Sequence, residues 1–235
     1  MRHAREGAPV KTEEDALDAS PPAALARTLD AIRHLELATL AAVGIVLRYG
    51  GFYGPGTRIA PGARQVELAG RRRFPVVGAG AGVWSFVRVE DAAAATVLAL
   101  GRGRPGIYNV VDDDPAPVAE WLPALAAAVG AKPPRRIPPW LARIVAGEAA
   151  VVMLNEVRGA SNAKAKRELA REPRSPGWRD GFVSVLARAA TVSRIHNVRG
   201  QDNLTVEQRR PVAEAPTHPP VPPELGVAGV QRAVD

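Results

Sequence analysis

Cysteine is absent from the 235 residues, which removes disulfides, thiol nucleophiles and cysteine-based metal sites together. No apolar run approaches the roughly 18 to 20 residues that span a bilayer. The opening stretch MRHAREGAPVKTEEDALDASPP has no apolar segment behind its basic residues, so it does not read as a secretory signal. A cytoplasmic protein without membrane contact is expected. Lysine is scarce, occurring only at positions 11, 132, 164 and 166. The net charge of +7 therefore rests on arginine. The arginines are dispersed, apart from Arg71–Arg73, and aromatics do not alternate with them. Together with abundant Ala, Gly and Pro this is compositional bias, and no nucleic-acid partner is expected. Histidine is equally sparse: His3, His34, His196 and His218 show no ligand spacing. The acidic run Asp112–Asp114 lacks nearby ligands to complete a shell, so it is expected to face water and no metal is expected.

What remains is an alternation of helices and strands. SPPAALARTLDAIRHLELATLAAVG carries Leu25, Leu29, Ile32 and Leu35 at helical spacing, with Ser20 as N-cap, Pro21 at the first helical position and Gly44 as the stop. IVLRY follows without alternation, as in a strand covered on both faces. It breaks into GGFYGPG, where glycine permits positive φ or close approach of another molecule, and proline ends the ladder. FPVVG, GVWSFVRVE and GIYNVVDDD read as further strands, with Asp91 capping the alanine-rich helix that follows GVWSFVRVE. Helices are expected over VAEWLPALAAAVG, PPWLARIVAGEAAVVMLNEVRG, SNAKAKRELA (capped by Ser161) and PGWRDGFVSVLARAA. The class is α/β. Residues 1–20 read as irregular and 21–190 as the folded part. Residues 191–235 form a proline-rich tail that lacks any period and is expected to be disordered.

Four stretches in order, LRYGGFYGPGT, FPVVGAGAGVWSFVRVEDAAAA, GIYNVVDDDPAPVAEWLPALAAAVGA and SNAKAKRELAREPRSPGWRDGF, resemble an extended short-chain dehydrogenase/reductase of the NAD-dependent epimerase/dehydratase group. The resemblance implies a partial Rossmann-like, doubly wound sheet with a small substrate-binding subdomain, and NAD or NADP as cofactor. It places YGP at the end of the sixth strand, beside the nicotinamide. Gly51, Tyr53, Gly54 and Pro55 are thereby candidates for the cofactor, and Arg58, Trp84 and Arg88 for the substrate.

The resemblance covers only the second half of that family's pattern. No GxxGxxG turn precedes residue 44, and GAGAG at 78–82 opens no helix, so it is expected to be a hairpin turn on the substrate side. The Tyr-x-x-x-Lys pair, in which lysine lowers the phenol pKa, is absent: aligning the helix by Glu36 puts Thr28 and Ile32 in those places. Trp84 and Ser85 stand where sugar-nucleotide members carry Arg-Asp. Tryptophan cannot neutralise a phosphate, so the expected substrate is a small apolar or aromatic molecule rather than a nucleotide sugar. The expectation is an oxidoreductase- or epimerase-like chain that looks truncated and is weak or inactive alone. The alternative is a non-catalytic ligand- or cofactor-sensing module of the same fold. Uncovered strand edges and apolar faces are expected to drive self-association.

Overall fold

The computed structural model describes residues 3–187, and the tail expected over 191–235 lies outside the described residues. The β-branched and aromatic residues of IVLRY suit a pleated, half-buried surface. They form β2 (Ile45–Tyr49), each residue partly buried. β2 pairs in parallel with β7 (Gly106–Val110), Ile45 opposite Gly106 and Tyr49 opposite Val110. A parallel partner requires a crossover, which includes α3 (Val89–Arg102). Ala92, Ala95 and Ala99 line the buried face of α3, small enough for the helix to lie close against Leu47, Val87 and Val110.

At Gly50 the strand changes partner. β3 (Gly51–Tyr53) pairs in parallel with β6 (Phe86–Arg88). The Gly50 N–H still donates to the Val110 oxygen at 3.2 Å, while the Gly51 N–H donates to the Ser85 oxygen at 2.9 Å. Space alone demands glycine here: a Cβ on Gly50 would lie 2.6 Å from the Ser85 oxygen and 3.1 Å from the Phe86 carbonyl carbon.

GVWSFVRVE is two strands rather than the single one expected. β5 (Val83–Trp84) pairs antiparallel with β8 (Ala116–Pro117), while β6 belongs to β3. Between them, Ser85 accepts the Ala160 N–H on its hydroxyl at 2.8 Å and offers its carbonyl to Gly51, which divides the run between two partners. β4 (Val76–Val77) pairs in parallel with β9 (Arg136–Ile137). The glycine run 78–82 joins β4 to β5, which have different partners, so it is a connection and not a hairpin.

The first 20 residues are not irregular throughout. β1 (Val10–Lys11) pairs in parallel with β10 (Gly159–Ala160), and His3 bridges Leu17. Arg5 pairs with Asp18 and Glu156 and donates to the Ser20 oxygen. Ion pairs and short backbone pairings hold this segment, and neither leaves a hydropathy signal. α1 (Ala23–Ala41) starts later than the Ser20 cap would place it, with Pro22 as the N-cap residue; a residue that precedes proline, as Pro21 does, is held away from the helical region.

The core is aromatic. Phe86 meets Trp121 on α4 (Val118–Ala128) edge-on at 5.4 Å and Phe182 edge-on at 5.2 Å, and Phe182 in turn meets Tyr53 at 5.5 Å. Trp178 and Phe182 come from a helix over residues 178–187, α8. Asp91, expected to cap α3, lies inside its first turn and accepts the N–H groups of Arg174 at 3.1 Å and Ser175 at 3.0 Å. Its carboxylate therefore fastens the loop before α8 to α3. No helix among the described residues is long and apolar enough to cross a membrane.

Candidate functional site

Beyond β3 the chain doubles back over residues 54–59. The Gly54 N–H donates to the Ile59 oxygen at 3.0 Å, and Thr57 Oγ1 donates to the Gly54 oxygen at 2.8 Å. Gly54 (φ 117°) and Gly56 (φ 76°) adopt backbone that side-chain-bearing residues avoid, which accounts for the later glycines of the run. The turn forms one wall of a cavity of about 590 Å3. Residues 83–86 form a second wall, and residues 153, 157, 158 and 160 the third, next to α6 (Glu148–Asn155) and β10.

Of the residues singled out in the sequence, Gly51, Pro55, Arg58 and Trp84 meet at this cavity. Trp84 is held in the wall because its Nε1–H donates to the Met153 oxygen at 2.9 Å and its ring lies 5.0 Å from that of Trp121. Tyr53 does not line the cavity. It is fully buried, packed so tightly on α8 that a Cβ at Gly181 would fall 2.5 Å from its ring, and burial pushes its hydroxyl pKa up. Gly54 also lies outside the lining, against Val89. Arg88 lies outside it too, paired with Glu90 at 2.9 Å and donating to Ser175 Oγ at 3.3 Å. Thr28, exposed, and Ile32, half-buried, stand one turn apart on α1 and do not line the cavity.

Met153, Gln65 and Arg158 line the cavity and carried no signal in the sequence. Each comes from a segment whose pattern only marks it as helix or helix end. Among the described residues two arginines, Arg58 and Arg158, line the cavity, and no acidic side chain does. The hydroxyls are committed elsewhere: Thr57 to its own turn, and Ser85 to the Ala160 N–H and oxygen.

Asp112 overturns the expectation that the acidic run faces water. It is 2% exposed, whereas Asp113 binds Lys166 (2.7 Å) and Asn162 (2.6 Å) and Asp114 binds Arg179 (2.9 Å). Burial pushes the Asp112 carboxyl from an ordinary 3.8 up to about 8. A folded pKa above the unfolded one gives stability that is full below pH 3.8 and is lost as the pH rises through 8. Asp112→Asn, which cannot ionise, should therefore stabilise the protein more at pH 8 than at pH 5, by several kcal/mol at about 1.4 kcal/mol for each pH unit of that interval. Thermal melts of both proteins across this range check it; equal shifts at the two pH values would contradict it. Among the described residues no group of three or more His, Cys, Asp or Glu stands together as a metal site.

A pyrophosphate cradle needs backbone N–H groups open to the ligand at a helix start. At 78–82 the glycines serve internal packing: a Cβ on Gly80 would meet Val76 at 2.6 Å, and one on Gly82 would meet Leu154 backbone at 2.9 Å. The Gly80 N–H is taken by the Val77 oxygen and Asn155 Oδ1. This run does not fit a pyrophosphate.

No protein-family model matches the chain. Over 185 residues, 76% of this chain, it is 42% identical to a 3-diazoavenalumate denitrifying reductase from a Streptomyces species, and it spans 60% of that protein's length. Similar solved structures include a functionally unknown conserved protein from Silicibacter pomeroyi (25% identity, TM-score 0.58, 76% of this chain and 60% of that one). A human epimerase family protein with NADPH is similar as well (17% identity, TM-score 0.59, 79% and 61%). So is a dTDP-glucose 4,6-dehydratase from Streptomyces venezuelae with NAD (21% identity, TM-score 0.55, 77% and 54%). These relatives share with the chain a mixed α/β, Rossmann-like fold built on parallel strand pairs.

Proposed function

We propose that this chain, which has the fold of the NAD-dependent epimerase/dehydratase and short-chain dehydrogenase/reductase proteins, forms the substrate-binding side of an NAD(P)-dependent reductase for small aromatic compounds. The observation that carries the reading is the cavity at the end of β3, walled by Phe52, Val83, Trp84, Phe86 and Met153. Apolar walls with few uncommitted polar groups suit a small organic ligand. The 42% identity to a reductase named for 3-diazoavenalumate supports reduction over epimerisation. On this reading the residues around Gly51 and Pro55 face the nicotinamide end of the cofactor. On the same reading the run at 78–82, closed by internal packing, does not meet the cofactor's pyrophosphate. Trp84 as a wall residue in place of a phosphate-binding arginine disfavours a nucleotide sugar. The test is whether a neutral aromatic probe, trans-cinnamamide, perturbs Trp84 and leaves Trp140 and Trp178 unmoved, which fluorine NMR of 5-fluorotryptophan-labelled protein resolves.

A further inference from the structure

Charge in the cavity wall is one-sided. Arg58 and Arg158 both line it, and among the described residues no carboxylate does. Other arginines of the fold are neutralised, Arg88 by Glu90 and Arg179 by Asp114 and Glu120. Arg58 makes no hydrogen bond or ion pair among the described residues. Arg158 spends only its Nε–H, on the Arg5 carbonyl oxygen at 2.7 Å, an anchor that fixes the side chain and leaves its two terminal nitrogens uncommitted among the described residues. With Thr57 and Ser85 engaged, the remaining uncommitted polar side chain of the lining is Gln65. Trp84 lines the cavity as well, and its N–H is already given to Met153. The indole brings apolar ring atoms to the lining and no free side-chain donor.

We infer that the ligand is an aryl carboxylate, its ring against Trp84 and its carboxylate held by Arg58 and Arg158, an inference that rests on this cavity being the ligand site. The planar guanidinium fork matches the two oxygens of a carboxylate. A cavity with two cations and no acid gains most from an anion. The apolar walls favour one whose remaining surface is aromatic over a free phosphate or a sugar diphosphate.

Isothermal titration of the full chain with trans-cinnamate, its neutral isostere trans-cinnamamide and inorganic phosphate tests this. Arg58→Met and Arg158→Met are the variants, with Arg135→Met, exposed and away from the cavity, as control. Cinnamate is expected to bind about tenfold or more tightly than cinnamamide, since a charge-assisted hydrogen bond is worth about that factor. Each cavity variant should remove that advantage and leave cinnamamide affinity and the control unchanged, and phosphate should not compete. Equal binding of acid and amide, or a cinnamate affinity untouched in Arg58→Met, overturns the carboxylate assignment while the aromatic-ligand reading stands. Failure of both aromatic probes to bind overturns both. Competition by phosphate at similar concentration overturns the carboxylate in favour of a phosphate-bearing ligand. Because Arg58 is exposed, its variant is expected to fold normally even where Arg158→Met, which loses the tie to Arg5, does not.

Discussion

Glu36→Leu is expected to destabilise the protein by about 3–5 kcal/mol, the range seen when one partner of a buried ion pair is removed. Glu36 lies on α1 and Arg48 on β2, and the two make a bidentate pair with both bonds at 2.7 Å. Their side chains are 9% and 8% exposed. Removing the carboxylate strands a buried guanidinium, of which Nη1 already lacks a partner. The double variant Glu36→Leu/Arg48→Met should recover much of the loss, because no lone charge remains. Urea unfolding of the two variants checks the contrast; a single variant no worse than the double would contradict it.

The second large effect is expected at Gly50. Gly50→Ala puts a methyl group 2.6 Å from the Ser85 oxygen and 3.0 Å from Val111 Cγ1. Backbone on one side and packed core on the other leave little room to shift, so the β3–β6 pairing must open and a loss of about 3 kcal/mol is expected. Gly56→Ala is the comparison. Its Cβ would meet nothing within 4 Å, although its φ of 76° still strains a side chain. That change should cost only about 1 kcal/mol. Equal losses at the two positions would show that strand conformation, rather than close approach, makes glycine necessary at residue 50.

These two sites show what the sequence displays and what it withholds. The run VLRYGGFYGPGTR announces a strand that ends at a cavity, and its glycines divide between close approach at Gly50 and left-handed turns at Gly54 and Gly56. Pattern alone cannot divide them, because both needs are met by the same residue. On α1 the periodicity of Leu25, Leu29, Ile32 and Leu35 identifies the helix but misplaces its inner face. Leu29 is 1% exposed and Leu35 is 64% exposed, and Glu36 takes the buried position because Arg48 reaches across to it. Polar pairs override hydropathy in the same way at Asp91 and in the first 20 residues. Gly51, Pro55, Arg58 and Trp84, which line the cavity, were legible because an ordered set of motifs carried them. Arg158 was not: what brings it to the cavity is the long-range pairing of β10 with β1 and the bond to Arg5, and neither has a local signature.

The central claim, that a small aromatic ligand enters the cavity at the end of β3, is tested most directly by the fluorine spectrum of 5-fluorotryptophan-labelled protein, its four resonances assigned by single Trp→Phe changes. Trp84 lines the cavity, Trp121 and Trp178 are buried in the core at 1% exposure or less, and Trp140 is 61% exposed on a different helix, α5 (Pro139–Ala146). Addition of trans-cinnamamide is predicted to shift the Trp84 resonance saturably and leave the signals of Trp140 and Trp178 in place. A saturable shift at Trp140 with Trp84 unmoved, or no saturable shift at any of the four, would contradict the account.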